Sequence, residues 1–255
     1  MTDFPLPDPP RRFPLDWLLP ALLFPRRAFA RIAAQSGGVW LLPILLITLS
    51  ALTLVFVTAP LRQEAAQSGQ ALPPEYYSPE QQAQLEQALA ITSGPVFIYL
   101  FPALSAVLGA VAGWLVVAGI MHFVLTLLGG RSTGQAAMNL VAWAGLPFAV
   151  RDLLRMGYTL STHQLIQQTG LGGFAPSGEG GFALYVAALL ALIDLFLIWH
   201  AGLLMIGMGA ATGLSRGKTA LGVLGTLLLV LLAQALFAFL VARFAGLDII
   251  RPFFF

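Results

Sequence analysis

The feature that most constrains this chain is an apolar run without a charged residue, which extends from Ile91 to Gly130. A membrane-spanning helix needs about 20 consecutive apolar residues to cross ~30 Å of hydrocarbon. Charged residues make up only 9% of the 255-residue chain and hydrophobic residues 58%, whereas about 25% charged is usual in soluble domains. So few charges cannot cover a soluble domain of this size. The composition therefore predicts an all-α, polytopic membrane protein and excludes a disordered chain and most soluble enzymes.

Five apolar segments are long enough to cross a bilayer. They are Trp40–Pro60, Phe101–Leu128, Ala136–Gly157, Phe182–Thr212 and Thr219–Phe244. The second and fourth apolar runs exceed one bilayer thickness, so they must tilt or protrude. We predict a bundle of five transmembrane helices with a short interfacial N-terminal helix. Residues 1–36 form the N-terminal segment, and residues 37–255 form the membrane domain with a large outer loop at 61–94.

The basic residues predict the orientation of this bundle. One set of loops, together with the C-terminal tail, contains only two basic residues, Arg62 and Arg251. The same side carries six acidic residues: Glu64, Glu75, Glu80, Glu86, Glu179 and Asp248. Because cytoplasmic loops are enriched in Lys and Arg, the N-terminus is predicted in the cytoplasm and the C-terminus outside. The basic residues on the cytoplasmic side are then Arg11, Arg12, Arg26, Arg27, Arg31, Arg131, Arg216 and Lys218.

The segment Pro25–Gln35 has the pattern of an interfacial helix. Phe29 and Ile32 share one face, and the arginines face the headgroups. The pattern predicts a membrane-surface anchor, and the alternative is a docking helix for a cytosolic partner. Six basic residues make up a candidate cytoplasmic surface for a partner or for lipid: Arg26, Arg27, Arg31, Arg131, Arg216 and Lys218.

Two outer segments carry local signals. In the large outer loop, Ser78-Pro79-Glu80-Gln81 is typical of a helix start. Leu85, Ala88 and Leu89 would give that helix an apolar stripe. The glycine-rich segment Gly170–Gly181 predicts a flexible outer loop that could re-enter the membrane.

Asp194 is the most unusual residue, because it is predicted midway along the fourth span. An isolated carboxylate in lipid is costly, so it should be paired, protonated or turned to the bundle interior. Arg151, Asp152 and Arg155 lie in the outer part of the third span, where the two arginines share a helix face. Two interpretations remain open: Asp194 pairs structurally with one of these arginines, or it couples ion or proton movement. With His200, these residues form the candidate intramembrane polar cluster.

The sequence contains little evidence for an enzyme active site, a metal site or a nucleotide site. The chain has no cysteine, and its three histidines are not at metal-ligand spacing. His200 and Asp194 are six residues apart and do not share a helix face, so an interhelical hydrogen bond is expected of His200. Gly213–Thr219 is one residue short of a phosphate loop and lies between apolar helices, which predicts a tight inner turn. We predict no catalytic residue, metal or cofactor, and with a net charge of +2 no nucleic-acid partner.

Glycines and prolines predict how the helices pack. Gly109 with Gly113, and Gly209 with Gly213 and Gly217, form small-xxx-small patterns that allow close helix approach. We expect them to pack spans within the chain, and self-association is the alternative. Pro43, Pro102 and Pro147 should kink or end their helices.

Several short stretches resemble bacterial members of the Yip-domain family. They are Phe24–Phe29 before the first span, Leu128–Gly130, Ala142–Pro147, Ile193–Trp199 with Ile206–Gly209, and Leu214–Ala220. The resemblance implies five spans and a cytoplasmic N-terminus. Eukaryotic members of the family act in vesicle trafficking and bind Ypt/Rab GTPases, and some bacterial relatives are associated with export transporters. It implies no catalytic residues, and the acidic N-terminal motif of the eukaryotic members is not evident here.

Together these features predict a non-enzymatic, multi-pass protein of the bacterial cytoplasmic membrane. It would serve as an accessory or scaffold that contacts the lipid bilayer and binds other membrane proteins, such as an ABC-type exporter, or itself. The alternative is a small transporter or channel that uses the carboxylate–arginine cluster.

Overall fold

The chain folds into a helical bundle in the computed structural model, which describes residues 13–68, 93–176 and 180–245 and the single positions Ser78, Glu80 and Gln87. No strand occurs in these residues. Short 3-10 helices occur at Leu15–Trp17 and Gly172–Phe174, and a π-helical turn at Val96–Leu100. The α-helices are α1 (Leu18–Leu23), α2 (Pro25–Ala33), α3 (Leu41–Ser68), α4 (Phe101–Leu127), α5 (Gly134–Ala144), α6 (Leu146–Thr162), α7 (Gly181–Ala191), α8 (Leu195–Thr212) and α9 (Arg216–Ala245).

Several predicted features fall outside the described residues. They are Arg11, Arg12, Glu75, Pro79, Gln81, Leu85, Glu86, Ala88, Leu89, Glu179, Asp248 and Arg251. In the large outer loop, Glu80 and Gln87 are helical. The first span passes Pro60 and continues as helix to Ser68, eight residues beyond the predicted end of the span.

Within the described ranges, four helices are long and apolar enough to cross a membrane: Leu41–Ala65, Val96–Leu127, Leu195–Thr212 and Arg216–Val241. Each overlaps one of the predicted spans, so the prediction of an all-helical, polytopic membrane bundle is confirmed. The third predicted span is built differently, because it consists of two shorter helices, α5 and α6.

The break between α5 and α6 lies at Gly145, two residues before Pro147. Proline has no N–H to donate to the preceding turn, and the Phe148 N–H donates instead to Gly145 O at 2.9 Å. The break at the predicted kink is thereby explained. Helix α5 is almost wholly buried, with Trp143 and Ala144 at 0% exposure. It forms the centre of the bundle and contacts α2, α3, α4 and α8.

The fourth predicted span is also interrupted. Helix α7 ends at Ala191 and α8 begins at Leu195, with Asp194 as the N-cap residue of α8. The prediction that Asp194 lies within one continuous helix is therefore wrong. Hydropathy did not reveal the break because the residues on both sides of Asp194 are as apolar as the rest of the span.

Helix α2 forms where an interfacial helix was predicted, but its apolar face does not point to lipid. Ala28, Phe29 and Ile32 are buried against α5 and α8. The Phe29 ring lies against Gly207 of α8, where an added Cβ would come within 2.5 Å of Phe29 Cδ1. The apolar face therefore packs on the bundle, and the position of the helix at the membrane surface stays a prediction. Its arginines remain exposed.

The predicted glycine patterns are not the close contacts between helices. Among the described residues, a Cβ added at Gly109, Gly113, Gly213 or Gly217 would meet no atom of another element within 4 Å, and one added at Gly209 would meet only Thr219 Cγ2, at 3.9 Å. Close packing depends instead on Gly207 and on Gly222 of α9, whose added Cβ would meet Leu125 Cδ2 at 2.5 Å. The packing role predicted for the small-xxx-small patterns is therefore wrong.

Candidate functional site

The predicted polar cluster assembles around Arg151, on the first part of α6. Arg151 Nη1 lies 3.4 Å from Asp194 Oδ2, and Arg151 Nε lies 3.6 Å from Asp152 Oδ1. One guanidinium thus lies between two carboxylates from different helices. This arrangement matches the structural pairing expected for Asp194, and it ties the start of α8 to α6.

Asp152 is the most buried charged residue of the cluster, with 4% of its surface exposed. Ser50 of α3 donates to Asp152 Oδ2 at 3.2 Å. A buried carboxylate is costly unless it is paired and hydrogen-bonded, and here it has both kinds of partner. Nothing in the sequence singled out Ser50, because a serine in an apolar helix usually bonds its own backbone, and the Ser50 hydroxyl also lies 2.9 Å from Ile47 O.

Asp194 has a second role, as the cap of α8. Its Oδ1 accepts a hydrogen bond from Leu197 N at 2.8 Å, which satisfies one of the free N–H groups at a helix start. Helix α8 has 18 residues, so at 1.5 Å per residue Asp194 lies about 27 Å from the Thr212 end. The charge therefore lies at one end of the candidate span α8 rather than midway along it.

The loop before α7, which is predicted to lie outside, closes the break beside Asp194. Leu171 N donates to Leu190 O and Ile193 O at 3.0 Å, and Thr169 Oγ1 donates to Ala191 O at 3.3 Å. Gly170 has a φ of +54°, and a Cβ there would lie 2.6 Å from two of these carbonyl oxygens. Only glycine fits this position. The first part of the segment predicted to be flexible is thus fixed against the helix break.

His200 joins the cluster through aromatic contacts rather than through a charge. Arg151 Cζ lies 5.0 Å from the Phe148 ring centre, and the Phe148 and His200 rings are 4.9 Å apart. His200 Nδ1 donates to Ala144 O at 2.8 Å. That carbonyl is free because the break at Gly145 removes its helical partner. His200 therefore makes the expected interhelical bond and stabilises the break in the third span.

Arg155 lies one turn beyond Arg151 and is partly buried. Among the described residues it has no hydrogen bond or ion pair. It lines an outer cavity of about 930 Å³ between α6, the 164–171 loop and the start of α8. Arg151 and Asp194 line the same cavity, together with Tyr158 and the amides of Gln164, Gln167 and Gln168.

A second cavity, of about 420 Å³, lies between helices of the bundle. Its polar lining residues include Arg151, Asp152, His200 and Gln234, and Gly109 and Gly113 of α4 also line it. These two glycines therefore border a cavity. Arg151 lines both cavities.

Metal and nucleotide sites find no match in the described part of the chain. It holds no group of three His, Cys, Asp or Glu side chains placed to bind a metal ion. Gly213 ends α8 in the left-handed conformation, and Lys218 Nζ donates to Leu128 O at 3.3 Å. The segment resembling a phosphate loop is thus a tight turn between helices.

Comparison with protein families decides the classification. A model of the Yip1 domain matches residues 21–238, which include both cavities and every residue of the polar cluster. The chain belongs to the Yip1 domain family. Comparisons with curated proteins and with solved structures found no match.

The cytoplasmic surface predicted from basic residues lies at one end of this Yip1 domain. The two loops that carry it are joined, because Arg131 N donates to Thr212 O at 3.1 Å. Helix α2 is fixed to the same end by Phe29. All six side chains of the surface are exposed: Arg26, Arg27, Arg31, Arg131, Arg216 and Lys218.

A structural site of the Yip1 domain lies at Asn139, at the start of the first span. Asn139 of α5 is fully buried and binds the extended residues before α3: its Oδ1 accepts from Val39 N at 3.0 Å, and its Nδ2 donates to Gly37 O at 2.9 Å. Trp143 Nε1 donates to Val39 O at 2.9 Å. An asparagine one turn from a tryptophan in an apolar helix was the available signal.

Proposed function

We propose that this Yip1 family protein is a non-enzymatic accessory protein of the bacterial cytoplasmic membrane that binds other integral membrane proteins. Its partner would be a multi-subunit membrane complex, such as an ABC-type exporter, or a second copy of the chain. The observation that carries the proposal is the exposed basic surface, formed by α2 and the two loops at one end of the bundle.

The fixed position of this surface favours partner binding. Arg131 N, in the loop before α5, donates to Thr212 O at the end of α8, and Lys218 Nζ, in the first turn of α9, donates to Leu128 O. Helix α2 packs on α5 and α8. A surface that is already ordered loses little conformational entropy when a partner binds. Its charge fits a partner with acidic cytoplasmic segments, and charge complementarity contributes mainly to specificity and to the association rate.

A pull-down from native membranes in mild detergent tests this proposal. We expect the tagged wild-type chain to recover a membrane protein in a constant ratio. The double variant Arg131→Glu/Arg216→Glu should reduce that recovery at least tenfold, because it reverses two charges of the surface. Arg243→Glu, at the other end of the bundle, is the matched control and should leave recovery unchanged. Recovery of the tagged chain alone, or equal loss in both variants, would contradict the proposal.

We also propose that the basic surface faces the cytoplasm, as the distribution of basic residues suggests. The chain has no cysteine, so single cysteines can be introduced without other changes. In intact cells, an impermeant thiol reagent should label Ser161→Cys, after the third span, and not Ser215→Cys, between α8 and α9. Both positions are exposed, and both should react after the membrane is permeabilised. The reverse pattern in intact cells would overturn this orientation.

A transporter is the second candidate function, favoured by the two cavities that meet at Arg151. A solute path would let water and small reagents from the outside reach the inner cavity. Ala51 of α3 lines that cavity, so Ala51→Cys extends the same labelling series. Reaction of Ala51→Cys with an impermeant reagent, prevented by a transported solute, would favour the transporter. If only Ser161→Cys reacts, the accessory role is favoured.

A further inference from the structure

The outer cavity combines a cationic end with an apolar groove. Its lining includes the polar residues Arg155, Gln164 and Gln168 and the apolar residues Leu154, Leu195 and Ile198. These three apolar side chains are 61%, 71% and 64% exposed. They belong to α6 and α8, which are packed together in the bundle. The groove therefore continues onto the surface that faces lipid.

Arg155 has unused hydrogen-bonding capacity in this cavity. A guanidinium has five N–H donors in a planar fork, and among the described residues none of them is bonded. Arg151 beside it is engaged by Asp152 and Asp194, so Arg155 is the cation available to a ligand. Its fork matches a phosphate group, which it can bind with two parallel hydrogen bonds.

We propose that the outer cavity binds a glycerophospholipid, with the phosphate on Arg155 and an acyl chain along Leu154, Leu195 and Ile198. Such a ligand needs a cationic contact for its phosphate and an apolar surface for its acyl chain. Both are present in this cavity of about 930 Å³, which is lined by a charged side chain and by exposed apolar side chains. Its position, near the membrane boundary at the Asp194 end of α8, places the phosphate at headgroup depth. The proposal does not depend on the accessory role or on its partner.

The glutamine amides give the site its second set of polar contacts. Gln164, Gln167 and Gln168 lie on the loop that is fixed to the helix break through Thr169 and Leu171. Their amide groups can donate to phosphate and to ester oxygens. The one carboxylate among the residues that line this cavity is that of Asp194, and Arg151 lies against it. The phosphate should therefore lie on the Arg155 side of the cavity.

Binding of defined lipids to the purified, delipidated full-length chain tests the proposal, with native mass spectrometry as the readout. The probe is dioctanoyl phosphatidic acid, with dioctanoylglycerol and inorganic phosphate as partial ligands. We expect saturable binding of one phosphatidic acid and at least tenfold weaker binding of both partial ligands. Arg155→Gln should weaken binding of phosphatidic acid at least tenfold, and Arg243→Gln, at an exposed position outside the cavity, should not change it.

A second pair of variants tests the acyl-chain groove without changing charge. Ile198→Trp places a large side chain in the groove. Leu221→Trp places the same side chain outside the groove, on α9, at a position of similar exposure (Leu221 is 66% exposed and Ile198 64%). Only Ile198→Trp should weaken binding. Inorganic phosphate that binds as well as the lipid would reduce the site to a simple anion site and overturn the proposal. Equal binding by wild type and Arg155→Gln, with unchanged thermal unfolding, would overturn it as well.

Discussion

Arg151→Met is expected to destabilise the bundle by about 3–5 kcal/mol, the usual cost of removing one partner from a buried ion pair. The variant leaves Asp152, at 4% exposure, with only Ser50 as a polar partner from another helix, and leaves Asp194 without its contact to α6. The loss should appear in equilibrium unfolding of the purified protein in mixed micelles with increasing denaturing detergent.

Two variants separate charge pairing from other effects of Arg151. Arg155→Met removes the same kind of side chain one turn away, where the described residues provide no ion pair, and should change stability by less than about 0.5 kcal/mol. Arg151→Met/Asp194→Asn removes both charges but keeps a good N-cap residue, so it should be more stable than Arg151→Met. If Asp194→Asn gives no rescue, the Arg151–Asp194 contact does not stabilise the fold.

The membrane class of this protein could be predicted because transfer of apolar residues into lipid depends on composition and length. Four of the predicted spans contain a helix of the required length. The helix breaks at Gly145 and Asp194 could not be predicted in the same way. A break is tolerated only where other groups satisfy the freed backbone, and here those groups are His200 and the Thr169–Leu171 turn. Both are distant in sequence from the carbonyl groups that they bind.

Helix α2 shows a second limit of pattern-based prediction. An apolar face opposite arginines is typical both of a helix on a membrane surface and of a helix packed on a bundle. The choice between them depended on Gly207, which leaves space for the Phe29 ring on α8. The glycine pattern drew attention to Gly209 and Gly213 instead. Pairing of a large side chain with a distant glycine is a three-dimensional property.

The polar cluster was predicted more completely than the helices that carry it. Charged residues within apolar segments are costly, so Arg151, Asp152 and Asp194 were expected to pair, and the distances show that they do. The sequence did not separate Arg155 from Arg151, because both share one face of α6. The structure distinguishes them by their partners.

Asn139→Leu should destabilise the protein by about 3–5 kcal/mol, although leucine is the more apolar residue. Asn139 is fully buried and bonds both Val39 N and Gly37 O. Each of these backbone groups would lose its partner, and an unsatisfied buried group costs about 1–3 kcal/mol. Leucine also cannot fix the extended residues before α3 against α5. Unfolding in mixed micelles gives the stability, and amide hydrogen exchange at Val39 should become faster.

The matched control for this change is Gln135→Leu, one turn earlier on α5. Gln135 Nε2 donates to Asn139 Oδ1 at 3.2 Å and contacts no backbone of the 37–39 segment by a hydrogen bond among the described residues. Its loss should cost about 1 kcal/mol or less and leave exchange at Val39 slow. Equal stability of the two leucine variants would show that Asn139 does not fix the start of the first span. Trp143 Nε1, which donates to Val39 O, would then be the group that holds this segment.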